Sequence, residues 1–166
     1  MSKLIRCITP TGFKNIPQDE IVPRLAVYGI VLSSKGILLG EKMEFMKLWL
    51  PGGGVNKGES AEGGLAREVL EETGITVTIT KEIGRRRDFI HIERENESFD
   101  QQSIFFLCSA PPDEPINADT FEALTPKWVT LKAAKQKQFV VMTNYLHKLL
   151  NLPAVAKLAQ SLSEQS

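Results

Sequence analysis

Pro51-Gly52-Gly53-Gly54 is the segment that most limits the folds open to this chain, because three glycines after a proline suit neither a helix interior nor a strand interior. The pattern predicts a loop, entered from the apolar residues Trp49 and Leu50 and left toward a helix. Ser60 can cap that helix and Gly74 can end it in the left-handed conformation, so about four turns run to Thr73. Projected at about 100° per residue, Glu68, Glu71 and Glu72 share about a third of the circumference, with Ala66, Val69, Leu70 and Thr73 opposite as the expected core side. Three like charges at spacings of three and four repel by a few tenths of a kcal/mol per pair. Two of them also stand near the C-terminal end, where the helix dipole disfavours anions. A cation is the expected compensation.

The flanking sequence reads as strands. Arg24 to Leu32 and Ile37 to Leu39 are apolar runs joined by a turn at Ser33, Ser34, Lys35 and Gly36. Thr76 to Thr80 alternates, Arg85 to Glu93 is extended, and Ser103 to Ser109 is apolar enough for a central strand buried on both faces. Trp128 to Leu131 predicts a short strand, Ala133 to Leu150 a helix, and the residues after Pro153 a last weak helix that frays over Ser161 to Ser166. Strands with helices spliced between them give an α/β fold, a mixed sheet with helices on its two faces. The expected organisation is an N-terminal arm over 1–20, a domain over 21–152 and a partly helical tail over 153–166.

Composition narrows the partners. The 166 residues are 42% hydrophobic and 24% charged, enough apolar material for a sizeable core. Twenty Lys and Arg balance twenty Asp and Glu, so no long-range field draws the chain to nucleic acid or to an anionic membrane. Cys7 and Cys108 are too few for a disulfide scaffold, and no run approaches the roughly 20 apolar residues of a membrane span. A cytoplasmic protein is expected, with a small-molecule partner and room for a homodimer.

Carboxylates on one helix face beside a glycine loop suit a hard divalent ion such as Mg2+, with substrate phosphates completing its shell. The fixed residues Gly53, Glu59, Arg67, Glu68, Glu71, Glu72 and Gly74, with Val69 and Ile75 at the aliphatic positions, resemble the Nudix box, G-x5-E-x7-R-E-U-x-E-E-x-G-U, without a departure. The resemblance implies a Nudix-type α/β/α sandwich with a mixed β-sheet. It implies Mg2+-dependent hydrolysis of the diphosphate linkage in a nucleoside diphosphate derivative, with Mn2+ as a substitute ion. Carried over position by position, it makes Glu68, Glu71 and Glu72 the metal ligands with the Gly52 carbonyl. Gly52, Gly53 and Gly54 become the binding loop, Glu59 an auxiliary acid and Arg67 the residue that orients the glutamates. The general base is Glu68 or a downstream acid among Glu93, Glu95, Glu97 and Asp100, with Glu97 the one singled out. Markers of several family subgroups are missing: no proline occurs between Pro51 and Pro111, and Gly52 stands where a subgroup acting on RNA 5′ ends tends to carry glutamine. By elimination a nucleoside triphosphate leads, ahead of ADP-ribose or a nucleotide sugar. A nucleotide-sensing module without catalysis is the rival from another class.

Other features carry plainer readings. Arg85, Arg86 and Arg87 read as a solvated strand edge more readily than as a phosphate clamp, since neighbours in a strand point to opposite faces. Two of Glu93, Glu95 and Glu97 are expected to be an exposed edge. His91 and His147 lack ligand partners at zinc spacing. Phe45, Trp49, Phe89 and Phe99 include candidates for a base-stacking ring without distinguishing one.

Overall fold

The computed structural model describes residues 2–42, 47–111, 116, 125–139 and 142–164. The described strands are β1 (Leu4–Thr9), β2 (Gly12–Pro17), β3 (Ile21–Ser33), β4 (Gly36–Lys42), β5 (Lys47–Trp49), β6 (Gly52–Gly54), β7 (Thr78–Ile92), β8 (Glu97–Ser109) and β9 (Thr125–Val129). The helices are α1 (Ala61–Thr73), α2 (Leu131–Ala134), α3 (Thr143–Leu150) and α4 (Pro153–Glu164). The strands form one mixed sheet in the order β2-β1-β7-β8-β3-β4-β5, with β6 on β3 and β9 on β4. Its centre is the parallel pair β3 and β8, in register from Ile21 opposite Ser98 to Leu32 opposite Ser109.

Alternation along these two strands sorts the core into two layers. Val27 and Val31 of β3 with Ile104, Phe106 and Cys108 of β8 meet Leu65, Val69 and Ile75 on one face. Ile30 and Leu32 with Phe105 and Leu107 meet Phe139, Leu146, Leu149, Leu150 and Val155 on the other. Helix α1 therefore covers one face and α3 with α4 the other, an α/β/α arrangement. Each fully buried side chain of this size contributes about 1.5–3 kcal/mol. Burial also pushes the Cys108 thiol up to about 12, so this cysteine is a core residue.

Several sequence expectations change. The N-terminal arm is a packed hairpin: β1 and β2 pair antiparallel from Leu4 opposite Pro17 to Thr9 opposite Gly12, and Ile8 joins β1 to β7. Buried Cys7 and Ile16 anchor this hairpin. Gly52–Gly54 is a short strand opposite Ala26–Tyr28, not a loop. Glycine permits this because Gly52 has φ +140° and a Cβ there would lie 2.1 Å from the Val27 carbonyl oxygen. The two extended stretches after Gly74 are one strand, β7, with irregularities between Ile79 and Lys81 and between Glu82 and Gly84. The helix expected over Ala133 to Leu150 is two short helices, α2 and α3, between which Phe139 makes a bridge to Leu48. The final helix persists to Glu164 because Val155 is buried, with Leu158 and Leu162 packed on the same core.

The apolar side of α1 also differs. Gly64, Leu65, Val69 and Thr73 are its buried residues, whereas Ala66 is exposed and Leu70 is 51% exposed. The helix is rolled so that Glu68 and Glu72 face the glycine strand, which turns Leu70 to solvent.

Candidate active site

Helix α1 starts and stops as its sequence dictates. The Ser60 hydroxyl accepts from the Gly63 amide at 3.0 Å, and Gly74, at φ 72°, donates its N–H to the Leu70 carbonyl at 2.8 Å. These ends set the length of α1 and so which of its turns carry the glutamates.

Arg67 is the hub. Its Nε donates to Glu59 Oε1 at 3.0 Å, and its Nη2 donates to Glu59 Oε2 at 3.1 Å and to the Gly54 carbonyl at 2.9 Å. Its Nη1 donates to Glu68 Oε1 at 2.8 Å and to Glu71 Oε2 at 3.1 Å. One guanidinium thus ties the loop acid, the glycine strand and two helix acids. Glu59 also accepts the Asn56 amide at 2.9 Å, and with the Arg67 hydrogen bonds this holds its carboxyl below the usual carboxylate range. Glu59 in turn pushes the Arg67 guanidinium further up, with Glu68 adding to it.

The glycine strand closes the site from the other side. The Gly52 amide donates to Glu72 Oε2 at 2.8 Å, so this residue meets the helix through its N–H. A Cβ on Gly53 would lie 2.5 Å from Glu68 Oε2. Three carboxylates, Glu59, Glu68 and Glu71, share one guanidinium, and Glu72 joins them through the Gly52 amide. The donors are hard oxygens, which match Mg2+ and Mn2+ by chemistry and by charge. Among the described residues no three acids, histidines or cysteines converge on one point, because Glu68 and Glu71 lean to Arg67 and Glu72 to Gly52.

The structure brings together Gly52, Gly53, Gly54, Glu59, Arg67, Glu68, Glu71 and Glu72, and leaves Glu97 outside. Ser98, the next residue, pairs with Ile21, whereas Gly54 pairs with Ala26. Five residues of strand separate the two levels, about 17 Å. Asp100 is taken by Arg87, while Glu93 and Glu95 are exposed in the turn between β7 and β8. Arg85 and Arg87 are exposed and paired with Glu82 and Asp100, whereas Arg86 is half-buried, paired with the buried Asp88 and packed over the Tyr145 ring. His91 is buried between Lys14 and Ser98, and His147 meets the Lys137 carbonyl. Trp49 lines a small cavity of about 20 Å³ with Tyr28, Phe105 and Phe139. Phe45 lies outside the described residues.

Two residues escaped sequence reasoning. Arg24 lies beside Gly54 and over the Phe99 ring, 4.6 Å from its centroid. Gln101, 1% exposed, donates to the Tyr28 hydroxyl and to Ser103 on the same sheet face. The only sequence signal was a charge or an amide inside an otherwise apolar strand.

The fold and this site define a class. The NUDIX domain family matches residues 22–149, and the chain belongs to that family. A MutT-like protein of Streptomyces ambofaciens is 40% identical over 118 residues, covering 69% of this chain and 70% of that protein. A Bacillus subtilis (strain 168) protein provisionally named 8-oxo-dGTP diphosphatase is 35% identical over 102 residues, covering 61% of this chain and 62% of that one. The crystal structure of a MutT protein from Methanosarcina mazei Go1 matches with a TM-score of 0.57 and 25% identity, covering 79% of this chain and 92% of that one. The chain spans 22% and 42% of the Arabidopsis thaliana Nudix hydrolases 8 and 7, so some relatives are much longer than the match. Among the described residues no helix is long and apolar enough to cross a membrane.

Proposed function

We propose that this chain is a Mg2+-dependent pyrophosphohydrolase that cleaves the diphosphate linkage of a nucleoside diphosphate derivative, with a nucleoside triphosphate as the leading substrate. The observation that carries this reading is the group of four carboxylates against Gly52–Gly54, three held by Arg67 and the fourth, Glu72, by the Gly52 amide. Glu68, Glu71 and Glu72, with the Gly52 carbonyl, would hold Mg2+. When bound, the ion neutralises phosphate oxygens and lowers the pKa of a bound water.

The chain's own residues do the rest. Arg67 fixes Glu59, Glu68 and Glu71 relative to one another, so their charges are placed before substrate arrives. Glu68 is the base: Oε1 is engaged by Arg67, and Oε2, beside Gly53, receives the proton of the attacking water. The water oxygen bonds to phosphorus as the bridging oxygen leaves, so a nucleoside triphosphate yields a monophosphate and pyrophosphate.

The test incubates the chain and Mg2+ with nucleoside triphosphates, an oxidised purine triphosphate, ADP-ribose, nucleotide sugars and 5′-triphosphate RNA, and identifies the products. Pyrophosphate from a triphosphate is the expected result. Sugar phosphate from ADP-ribose or a nucleotide sugar would move the substrate and keep the reaction. Nucleotide binding without any product would favour the sensing module.

A further inference from the structure

Gly53 and Gly54 face opposite sides of the sheet. A Cβ on Gly53 would meet Glu68, whereas a Cβ on Gly54 would meet Arg24, 3.1 Å from Nη2 and 3.2 Å from Nε. A single glycine strand therefore separates the carboxylates from a guanidinium. That guanidinium is fixed in place: Arg24 is half-buried on β3, and its Cζ lies over the face of Phe99 on β8. The ion pairs of the described residues engage Arg67, Arg85, Arg86, Arg87 and Arg94, but not Arg24.

An arginine held on an aromatic face, outside the ion pairs of the described residues and beside the glycine strand that borders the carboxylates, is suited to receive an anion. We propose that Arg24 is a substrate-binding residue whose guanidinium takes a phosphate oxygen of the nucleotide on the side of Gly52–Gly54 opposite the glutamates. This inference rests on the pyrophosphohydrolase reading. It adds a second anchor, so that the substrate straddles the glycine strand between a metal-binding carboxylate group and a cation.

The test compares wild type with Arg24→Gln and Arg24→Lys, using the substrate that the panel identifies, and reads KM, kcat and melting temperature. In parallel, calorimetry measures binding of inorganic pyrophosphate with Mg2+, which needs no turnover. Arg24→Gln is expected to raise KM and weaken pyrophosphate binding tenfold or more, with kcat within a few-fold and melting temperature within about 2 °C. Arg24→Lys, which keeps the charge but not the fork, should recover part of the loss. Wild-type KM and pyrophosphate affinity in Arg24→Gln would overturn the proposal, as would a fall in kcat and melting temperature with KM unchanged. If wild type cleaves nothing, the pyrophosphate arm still decides Arg24, and the pyrophosphohydrolase reading alone fails.

Discussion

Glu68 stands where a side chain on Gly53 would be: a Cβ there would lie 2.5 Å from the glutamate's Oε2 and 2.7 Å from its Cδ. The missing side chain is what lets the strand and the helix acid share one position. Gly52 is glycine for another reason, since its added Cβ would strike the Val27 backbone at φ +140°. The two neighbours therefore separate function from folding.

Gly53→Ala has only a flexible carboxylate to displace, so the melting temperature should stay within a few degrees of wild type. Glu68 must leave its place, and kcat should fall by about ten- to a hundredfold. Gly52→Ala meets backbone that cannot yield, and should lose several kcal/mol of stability with the β3–β6 pairing. Thermal melts and steady-state kinetics on the two variants check both halves; equal losses of stability would contradict the distinction.

Glu59 gives a pH dependence of known sign. Its folded-state pKa is lowered by Arg67 and by the Asn56 amide. A depressed carboxyl contributes stability that is present above its unfolded value, about 4.3, and is lost as pH falls through the lower folded value. Melting temperature followed from pH 6 to pH 3 should therefore drop more steeply in wild type than in Glu59→Gln. Parallel curves would show that the Arg67 pairing does not contribute.

Mg2+ should stabilise the fold through the same site. At ten times a millimolar dissociation constant the gain is about 1.4 kcal/mol. For a domain of this size that is a rise of roughly 3–5 °C in melting temperature, at ionic strength matched with NaCl. The double change Glu71→Gln, Glu72→Gln should abolish the Mg2+-specific shift. An unchanged shift in the double variant would place the ion elsewhere.

The residues that were legible in the sequence are those whose roles are set locally. Ser60 and Gly74 delimit α1 through contacts within a few residues, and the spacing of Glu68, Glu71 and Glu72 follows from the helix repeat alone. What was not legible depends on distant partners. Leu70 projects to an apolar side, but the roll of α1 is set by Glu72 meeting Gly52, twenty residues away in sequence. The glycine segment reads as a loop because its partner, Ala26–Tyr28, lies on a separate strand. Arg24 reads as the polar start of a strand, and gains its meaning from Gly54 and Phe99.

The choice of Glu68 as the proposed base rests on the sheet register. Spacing alone left Glu97 beside Glu68 as a candidate, since both are acids in or after the box. In the fold, Glu97 begins β8 at the level below Ile21, about 20 Å along the sheet from the Gly54 pairing, and lines an open cavity with Lys14 and His91. A base must come within about 3 Å of the proton it takes, directly or through one water, and Glu97 stands several times too far away. Glu97→Gln should therefore keep kcat within about twofold, whereas Glu68→Gln should lose two or more orders of magnitude with the fold intact. Measuring kcat against pH sharpens the comparison, because removing the base should abolish the acidic limb of the profile and removing a distant acid should leave it in place. A large loss in Glu97→Gln with the limb gone would mean that β8 moves to the site during turnover, and Glu68 would revert to holding metal alone.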